Sequence, residues 1–501
     1  MKNDIVELKN RLIELSHISS ALALLEWDIE VHMPKKGSAL RSETVSSLSG
    51  LLHDKLLKID SDKILTNLKK KLDAKKLSPR EAVIVAETWR TYDRERKIPV
   101  SLVKELSKVT SEAHHAWKEA REKNDFNKFK PYLEKIVELK RKEAKFVGYK
   151  NSPYDALIDT YEPGMTSDEA SMILNDLKDF LIPFVKKIRQ AKYKSEYQKI
   201  KGQFPIDKQK VFNQIVAGKI GFDFEAGLMA ESAHPFTTGF HPQDVRFTTR
   251  YKKDDVWYSV SSIIHEVGHA LYEQGILAEH FGTPLGESIS LGIHESQARM
   301  WENIIGKGYN FWKYFYPKLQ KDFPKPFKKV PITQFYRIIN EVSPSLIRTE
   351  ADEVTYSLHI IIRFEIEKEL IAGSINVKDL PAVWNDKVKS YLGISVPNDS
   401  LGVLQDVHWS GGAFGYFPCY VFGNLYGAQF FKTAKKQIRN LDLKISKGDF
   451  KDFGNWLKKN IFIHGKFYSA GGLIREVTGE ELTSKYFIDY LKEKYSKLYN
   501  L

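Results

Sequence analysis

The sequence predicts a mainly α-helical protein that folds as one elongated domain with a cleft. Apolar residues recur at helical spacing through the first two hundred positions, signals for β-strands are scarce, and no shift in composition divides the 501 residues. The 42% share of hydrophobic residues is typical of a globular chain with a substantial core. We therefore predict a single domain over residues 1–501, with a helical scaffold roughly over 1–200 and the functional motifs roughly over 230–420.

The scaffold helices are predicted from helix-start signals and from an apolar stripe. In Ser78-Pro79-Arg80-Glu81 and Thr166-Ser167-Asp168-Glu169, a hydroxyl residue stands three positions before a glutamate, which is the pattern of a capping box. Between these segments, apolar residues spaced by three to four positions mark one face of a helix. They are Leu102, Leu106, Val109, Ala113, Ala116 and Ala120.

The clearest strand signal lies at residues 244–251, where β-branched and aromatic residues alternate with polar ones. A strand there could offer an open edge for pairing with a peptide backbone. Alternatively, it is a scaffold strand whose Arg246 faces solvent.

Helices are also predicted around and after residue 265. An apolar-periodic segment ends near Gly275, a turn follows at 282–286, and a second helix is expected from about residue 288 to about 305. Further along, Ser343 and Pro344 predict the start of a long helix that continues through Ile371 and ends at Gly373.

The first of these helices contains His265-Glu266-Val267-Gly268-His269, an H-E-x-x-H sequence. Because the two histidines are four positions apart, they share one helix face, where both imidazoles can bind one zinc ion. Glu266 can then act as the general base that takes a proton from a metal-bound water. An H-E-x-x-H sequence also arises by coincidence, so its weight depends on the residues around it.

A catalytic zinc usually has three protein ligands, and Glu295 is the first candidate for the third. It lies 26 positions beyond His269 on the next predicted helix, which leaves room for a turn and an antiparallel return. Glu273 and Glu287 are competitors, although Glu273 lies one helical turn farther from the metal. Glu295 could instead be a surface residue that pairs with Arg299, four positions later.

If a zinc-bound hydroxide attacks a carbonyl group, further donors must stabilise the oxyanion that forms. The candidates are His234, His408, Tyr416 and Tyr420. Buried histidines and tyrosines are more often satisfied core residues than catalytic groups, so this reading competes with a structural one.

Removal of a C-terminal residue requires a fixed cation for the terminal carboxylate, and the planar fork of arginine suits both of its oxygens. Arg348 and Arg246 are the candidates. The alternative for Arg348 is a salt bridge to Asp352, four positions later on a helix.

Composition and charge restrict the class of protein further. The formal net charge is +13, but basic and acidic residues are interleaved, as at 138–143, so a nucleic-acid partner is not expected. Cys419 is the one cysteine and cannot form an intramolecular disulfide, which fits a reducing compartment. The sequence has no run of about 18 apolar residues, so a membrane span is not expected. The N-terminus lacks the apolar core of a signal peptide. We therefore expect a cytoplasmic protein.

Together these motifs resemble the carboxypeptidase Taq family of zinc metallocarboxypeptidases. That family has five short motifs in a fixed order, and residues matching all five occur here. They are Asp244-Val245-Arg246-Phe247-Thr248, His265 to His269, His294-Glu295-Ser296-Gln297, Ile347-Arg348-Thr349-Glu350-Ala351-Asp352, and Gly402-Val403-Leu404-Gln405-Asp406-Val407-His408-Trp409. Segments near 25–34, 154–164 and 478–479 also look like family segments, so the likeness spans essentially the whole chain.

The resemblance implies an almost entirely helical fold with a deep substrate groove and a very small β-sheet next to the H-E-x-x-H helix. It implies one zinc ion per chain, with cobalt as an alternative, held by His265, His269 and Glu295, and Glu266 as the catalytic base. It also implies broad-specificity release of C-terminal residues from peptides, resistance of a terminal proline, and a homodimer.

Substrate-binding roles carry over by the same resemblance. Arg348 is the position expected to recognise the terminal carboxylate, with Arg246 as a second polar anchor. His234, His408 and Tyr420 carry over less directly as groups that contact the substrate or the transition state. Cys419 stands where the family pattern leads us to expect threonine, which concerns the packing beside Tyr420 and not the metal site.

Two other functions stay open at this point. Helical zinc peptidases resembling thimet oligopeptidase or the angiotensin-converting type share H-E-x-x-H and a downstream glutamate, but the motifs around Arg246, Arg348 and residues 405–406 argue against them. A basic RNA-binding or scaffolding protein with an incidental H-E-x-x-H would require five ordered motifs to be accidents.

Overall fold

The computed structural model describes residues 2–191 and 195–501, and it is 71% helical and 4% strand. The prediction of a mainly α-helical fold is therefore confirmed. None of the described helices is both long and apolar enough to cross a membrane. The α-helices of the described residues are α1 (Lys2–Val31), α2 (Ser38–Leu57), α3 (Ile64–Asp73), α4 (Pro79–Lys97), α5 (Val100–Lys123), α6 (Phe126–Val147), α7 (Asp155–Ile158), α8 (Ser167–Gln190), α9 (Ile206–Ile220), α10 (Val256–Gly275), α11 (Leu291–Arg299), α12 (Tyr309–Asp322), α13 (Pro324–Phe327), α14 (Ile332–Ile339), α15 (Tyr356–Ala372), α16 (Leu380–Leu392), α17 (Pro418–Gln437), α18 (Leu441–Ser446), α19 (Lys451–Asn460), α20 (Ala470–Thr478) and α21 (Lys485–Tyr499).

Local signals set the starts of several helices as predicted. The Thr166 hydroxyl accepts a hydrogen bond from the backbone N–H of Glu169, and the Glu169 carboxylate accepts one from the Thr166 N–H at 3.0 Å. At the start of α4, the Glu81 carboxylate accepts hydrogen bonds from the Ser78 N–H at 3.0 Å and from the Ser78 hydroxyl at 2.7 Å. The predicted apolar stripe lies on α5, where most of its members are buried. Each capping box satisfies backbone N–H groups that a helix start leaves free.

A three-stranded sheet precedes α10. Its strands are β1 (Gly227–Glu231), β2 (Thr237–His241) and β3 (Asp244–Thr249), in the order β1-β3-β2. The predicted strand is confirmed as β3, but the prediction that it could offer an open edge is wrong. β1 pairs with it in parallel and β2 pairs with it antiparallel, so both of its edges are occupied. Strand order follows from the packing of the whole sheet against α10, and one strand's own sequence does not encode it.

The N-terminal helices have a small apolar core of their own. It includes Ile5 and Leu8 of α1, Leu65 of α3, and Val85 of α4, all buried. The hydroxyl of Ser20 donates to the carbonyl oxygen of Phe240 at 2.9 Å and so ties α1 to β2. The helical scaffold therefore reaches the sheet beside the H-E-x-x-H helix.

The helix predicted from Ser343 through Ile371 begins later than expected. Its first residue is Tyr356, although it ends before Gly373 as predicted, with a left-handed φ of 86° at that glycine. Asp352 causes the late start, because its carboxylate accepts hydrogen bonds from the backbone N–H groups of Ser343 and Thr355. The intervening chain carries only a 3₁₀ turn at Arg348–Glu350.

Helices α10, α11 and α17 pack unusually closely, because glycines face their contacts. A Cβ atom on Gly268 of α10 would lie 2.6 Å from Cα of Ala298 on α11. A Cβ atom on Gly423 of α17 would lie 2.5 Å from Cγ of Glu295 on α11. A methyl group at either position would therefore push these helices apart. α11 continues into a π-helical segment, Met300–Gly306, which we call the π segment.

Candidate active site

Three side chains singled out by the sequence converge between α10 and α11. His265 and His269 lie one turn apart on α10, with ring centroids 4.9 Å apart. Oε2 of Glu295, on α11, lies 3.4 Å from Nε2 of His269 and 4.0 Å from Nε2 of His265. One potential ligand atom from each of the three lies within 4.8 Å of the others. We call these residues the metal cluster.

The competing glutamates have other partners. Oε1 of Glu273 lies 2.8 Å from a histidine on α11, and Glu287 forms an ion pair with Lys466 near the surface. Glu295 does pair with Arg299, at 2.7 Å, as the alternative interpretation held. However, that pair is buried and uses Oε1, which leaves Oε2 facing the two histidines of the metal cluster.

The donor set of the metal cluster fits a divalent ion such as zinc. Ligand atoms about 2.1 Å from a tetrahedral ion are about 3.4 Å apart, close to the separations between Glu295 and the histidines. Burial would raise the pKa of Glu295, but Arg299 and the histidines lower it to about 2, so it is ionised. Burial lowers the pKa of His269 to about 3, so this ring is neutral, as a metal ligand must be.

Glu302, on the π segment, supports His265 from the side away from Glu295. Its Oε2 lies 2.9 Å from Nδ1 of His265, and Nη1 of Arg299 donates to the same oxygen at 3.1 Å. Burial would lower the pKa of His265, but Glu295 and Glu302 raise it to about 9. These carboxylates therefore favour a positive charge here, and a metal cation competes with the proton for the ring.

Sequence reasoning missed Glu302, although one signal pointed to it. It lies seven positions after Glu295, which is two turns along the same helix face. Metal-binding histidines commonly donate from their second ring nitrogen to a carboxylate, so a search for such a partner near Glu295 could have identified Glu302.

His269 is held differently from His265. Its ring stacks on that of His294, with centroids 4.4 Å apart and planes 19° apart, and His294 is fixed by the 2.8 Å contact to Glu273. Within residues 2–191 and 195–501, Nδ1 of His269 is buried and has no hydrogen-bond partner. A carboxylate thus orients one histidine, whereas ring stacking orients the other.

Glu266 faces the sheet. Its carboxylate accepts a hydrogen bond from the Thr237 hydroxyl, with an oxygen–oxygen distance of 2.7 Å to Oε2. Burial raises the pKa of Glu266, while His265 and the Thr237 hydroxyl oppose that shift. The carboxylate therefore lies next to the metal cluster with one oxygen held by β2.

A second cluster surrounds Arg348. Nη2 of Arg348 lies 2.8 Å from Asp406, and Arg363 of α15 contacts the other oxygen of the same carboxylate at 2.6 Å. Gln405 joins them, because its side-chain oxygen accepts from the Arg348 backbone N–H and from Arg363. We call Arg348, Arg363, Gln405 and Asp406 the arginine cluster.

The alternative prediction, a salt bridge between Arg348 and Asp352, is wrong, because Arg348 pairs with Asp406. Arg348 lies on a 3₁₀ turn and not on an α-helix, so residue 352 does not share its face. Asp352 instead accepts hydrogen bonds from backbone N–H groups, including that of Val354 at 2.9 Å. Burial would raise the pKa of Asp406, but Arg363 and Arg348 hold it well below its usual range.

Tyr356 connects the two clusters. Its ring lies 4.2 Å from the guanidinium carbon of Arg299, which pairs with Glu295. Its hydroxyl oxygen accepts a hydrogen bond from Nη1 of Arg348 at 3.3 Å. A continuous line of buried polar contacts therefore runs from the metal cluster to the arginine cluster.

Three aromatic candidates lie beside the arginine cluster. Nε2 of His408 lies 3.3 Å from the Tyr420 hydroxyl, and the Tyr420 ring lies 5.0 Å from the guanidinium carbon of Arg348. The Tyr416 ring lies 5.3 Å from that of Tyr420. Burial lowers the pKa of His408 to about 4, so the ring is neutral near pH 7.

Arg246 and His234 stand apart from this group. Arg246 pairs with Asp244 at 2.8 Å, and its guanidinium carbon lies 4.9 Å from the ring centroids of both Trp27 and Phe240. Arg246 is therefore partly covered by α1 and β2, and does not simply face solvent. His234 is exposed in the loop between β1 and β2.

The chain is similar to known proteins over nearly its whole length. The sequence profile of the carboxypeptidase Taq (M32) metallopeptidase family matches residues 7–495. Carboxypeptidase 1 of Bacillus subtilis (strain 168) is 40% identical over 495 residues, which cover 99% of this chain and 98% of that protein. Thermostable carboxypeptidase 1 of Thermus thermophilus is 38% identical over 499 residues, with 97% of each chain covered.

Solved structures have the same fold. The M32 carboxypeptidase of Deinococcus radiodurans R1 superposes with a TM-score of 0.95 at 35% identity, covering 100% of both chains. The carboxypeptidase of Pyrococcus furiosus superposes with a TM-score of 0.94 at 37% identity, covering 98% of this chain and 99% of that one. The range matched by the family profile includes the residues of both clusters.

Proposed function

Because this chain belongs to the carboxypeptidase Taq family of metallopeptidases, we propose that it releases C-terminal residues one at a time from peptides of varied sequence. Membership makes the chain a metallocarboxypeptidase, and the proposal adds roles for individual residues. The observation that carries it is the buried connection, through Tyr356, between a three-ligand metal cluster and a buried arginine. One end supplies hydrolysis, and the other supplies selection of a chain end.

His265, His269 and Glu295 are the proposed ligands of one zinc ion per chain, and cobalt suits the same two nitrogens and one oxygen. When bound, the metal would polarise the substrate carbonyl and lower the pKa of a water molecule. Glu302 and His294 keep the two histidine rings in place, so the ligands are arranged before the ion arrives.

Glu266 is the proposed general base. Thr237 holds its Oε2, and among the described residues no hydrogen bond is donated to its Oε1. Oε1 can therefore take a proton from the attacking water, and the same carboxyl can pass that proton to the amine that leaves. His408 and Tyr420, which lie beside the arginine cluster, are the proposed donors to the oxyanion.

Arg348 is the proposed anchor for the terminal carboxylate. Arg348 and Arg363 share the single carboxylate of Asp406, so the arginine cluster has an excess of positive charge that a second carboxylate would balance. Arg348 is 7% exposed and Arg363 is 0% exposed, so only Arg348 retains contact with the exterior. Arg246 and His234, on β3 and near the start of β2, are proposed as outer contacts for the rest of the peptide.

The test is a digestion of an unblocked peptide by the metal-loaded wild-type protein, followed by mass spectrometry. We expect a ladder of products that lose single C-terminal residues, with little dependence on the residue released. The same peptide with an amidated C-terminus is the control, because it lacks the charge that Arg348 would bind. Efficient internal cleavage of the amidated peptide would instead identify an oligopeptidase.

The resemblance also supports a homodimer in the cytoplasm as part of the proposal. Light scattering coupled to size-exclusion chromatography tests the dimer, for which we expect about twice the 57.8 kDa chain mass. Fractionation of the native cells tests the location.

A further inference from the structure

The Thr237 hydroxyl, at the start of β2, lies within hydrogen-bond distance of two oxygen atoms of Glu266. Its hydroxyl oxygen lies 2.7 Å from Oε2 of Glu266 and 3.0 Å from the carbonyl oxygen of the same residue. We propose that Thr237 is the positioning residue of the general base, holding one carboxylate oxygen so that the other faces the attacking water. This inference rests on the role proposed above for Glu266.

The pairing of β2 with β3 fixes the position of Thr237. Thr237 pairs with Phe247 of β3, whose side chain is fully buried, and the preceding Phe236 N–H donates to the Thr248 hydroxyl at 3.1 Å. Glu266 itself is 6% exposed. Because the support comes from a paired strand, the carboxylate is held against a rigid element, as precise catalytic geometry requires.

The hydroxyl group suits a partner that gains and loses a proton. A threonine hydroxyl has one proton to donate and can also accept a hydrogen bond. While Glu266 is ionised, the hydroxyl donates to Oε2. Once Glu266 has taken a proton from water on Oε1, Oε2 keeps its lone pairs and still accepts the hydrogen bond from Thr237. The contact can thus persist through the turnover, whereas a methyl group offers no such bond.

The test compares Thr237→Val with Thr237→Ser in the metal-loaded full chain. Valine keeps the shape of the side chain but removes the hydroxyl, whereas serine keeps the hydroxyl. We expect Thr237→Val to lower kcat about 10- to 100-fold with KM within about twofold, since a misplaced base loses part of the roughly 10²–10⁴-fold that general-base catalysis contributes. Thr237→Ser should keep most of the wild-type kcat.

Thr249→Val is the matched control. The Thr249 hydroxyl, on β3, lies 2.5 Å from the Ser262 hydroxyl on α10, so it also joins the sheet to the H-E-x-x-H helix but does not touch Glu266. We expect its kcat to stay within about twofold of wild type. Metal content and thermal unfolding midpoint should be unchanged in all three variants.

Several outcomes would overturn the inference. They are a wild-type kcat in Thr237→Val, an equal loss in Thr237→Ser, an equal loss in Thr249→Val, or loss of metal from Thr237→Val. If the wild-type protein releases no C-terminal residue from an unblocked peptide, the proposed function fails first and this inference fails with it. An active wild type together with any of the outcomes above rejects the role of Thr237 alone.

Discussion

The metal cluster and the arginine cluster differ in both construction and charge. The metal cluster comes from two consecutive helices, α10 and α11; it includes the carboxylate of Glu295 and is flanked by those of Glu266 and Glu302. The arginine cluster comes from a 3₁₀ turn, a helix and a distant loop, and has two guanidinium groups on one carboxylate. One region favours a cation and the other an anion, so in the proposed reaction a substrate that ends in a carboxylate is bound at the arginine cluster while it reacts at the metal cluster.

Glu266→Gln is the most direct test of the hydrolysis proposed at the metal cluster. We expect kcat to fall about 10²–10⁴-fold, because glutamine keeps the size of the side chain but cannot take a proton. Bound metal should stay near one equivalent, since Glu266 is not a proposed ligand. Peptide digestion and metal analysis on the same sample check both statements, and a variant with substantial turnover would remove Glu266 as the base.

Arg348→Ala tests whether the arginine cluster selects peptides by their free C-terminal carboxylate. For peptides with a free C-terminus, kcat/KM should fall by an amount equivalent to about 2–5 kcal/mol, because the variant leaves Asp406 and the substrate carboxylate without this partner. Metal content should not change, which would separate the two clusters functionally. Equal activity of variant and wild type on such peptides would reduce Arg348 to a structural partner of Asp406.

Glu302→Ala tests whether the metal cluster depends on its supporting carboxylate. Metal affinity, measured by competition with a chelator, should weaken about 10- to 100-fold, because Nδ1 of His265 loses the partner that orients the ring. Glu287→Ala is the control, since Glu287 lies near the surface and pairs with Lys466. If both variants bind metal as tightly as wild type does, Glu302 has no part in holding the ion.

Gly423→Ala tests the close contact between α17 and α11 without removing any chemical group. The added methyl group would lie 2.5 Å from Cγ of Glu295, so we expect a loss of stability of about 1–3 kcal/mol and weaker metal binding. Gly454→Ala, on α19, is the control, because nothing lies within 4 Å of the new Cβ atom. Denaturant unfolding of the two variants measures the difference, and equal stabilities would contradict the tight contact between α17 and α11.

The sequence predicted the regions whose signals are local. Helix starts at Thr166 and Ser78, and the shared face of His265 and His269, depend on residues within four positions of one another, so spacing was enough. The small sheet was predicted only in part, because the position of β3 between two partners depends on tertiary packing.

The arginine cluster shows the limit of local signals. Asp406 lies 58 positions from Arg348, whereas Asp352 lies at the spacing of a helical salt bridge, so spacing alone favoured the wrong partner. Thr237 was missed for the same reason, because it reaches Glu266 across 29 positions from a strand that the sequence did not indicate. Contacts between distant segments are fixed by the complete fold, and a single sequence offers no period that reveals them.

Helix α17 has a consequence for the length of the substrate's last residue. Near its start, Tyr420 lies beside Arg348, and three positions later Gly423 lies against Glu295. One rigid helical turn therefore touches both clusters and sets the distance between them. In the proposed reaction, this turn fixes the distance between the site for the terminal carboxylate and the site where the peptide bond is cut. We therefore expect slow release of a C-terminal β-alanine, because its one extra methylene lengthens the interval between the terminal carboxylate and the peptide carbonyl.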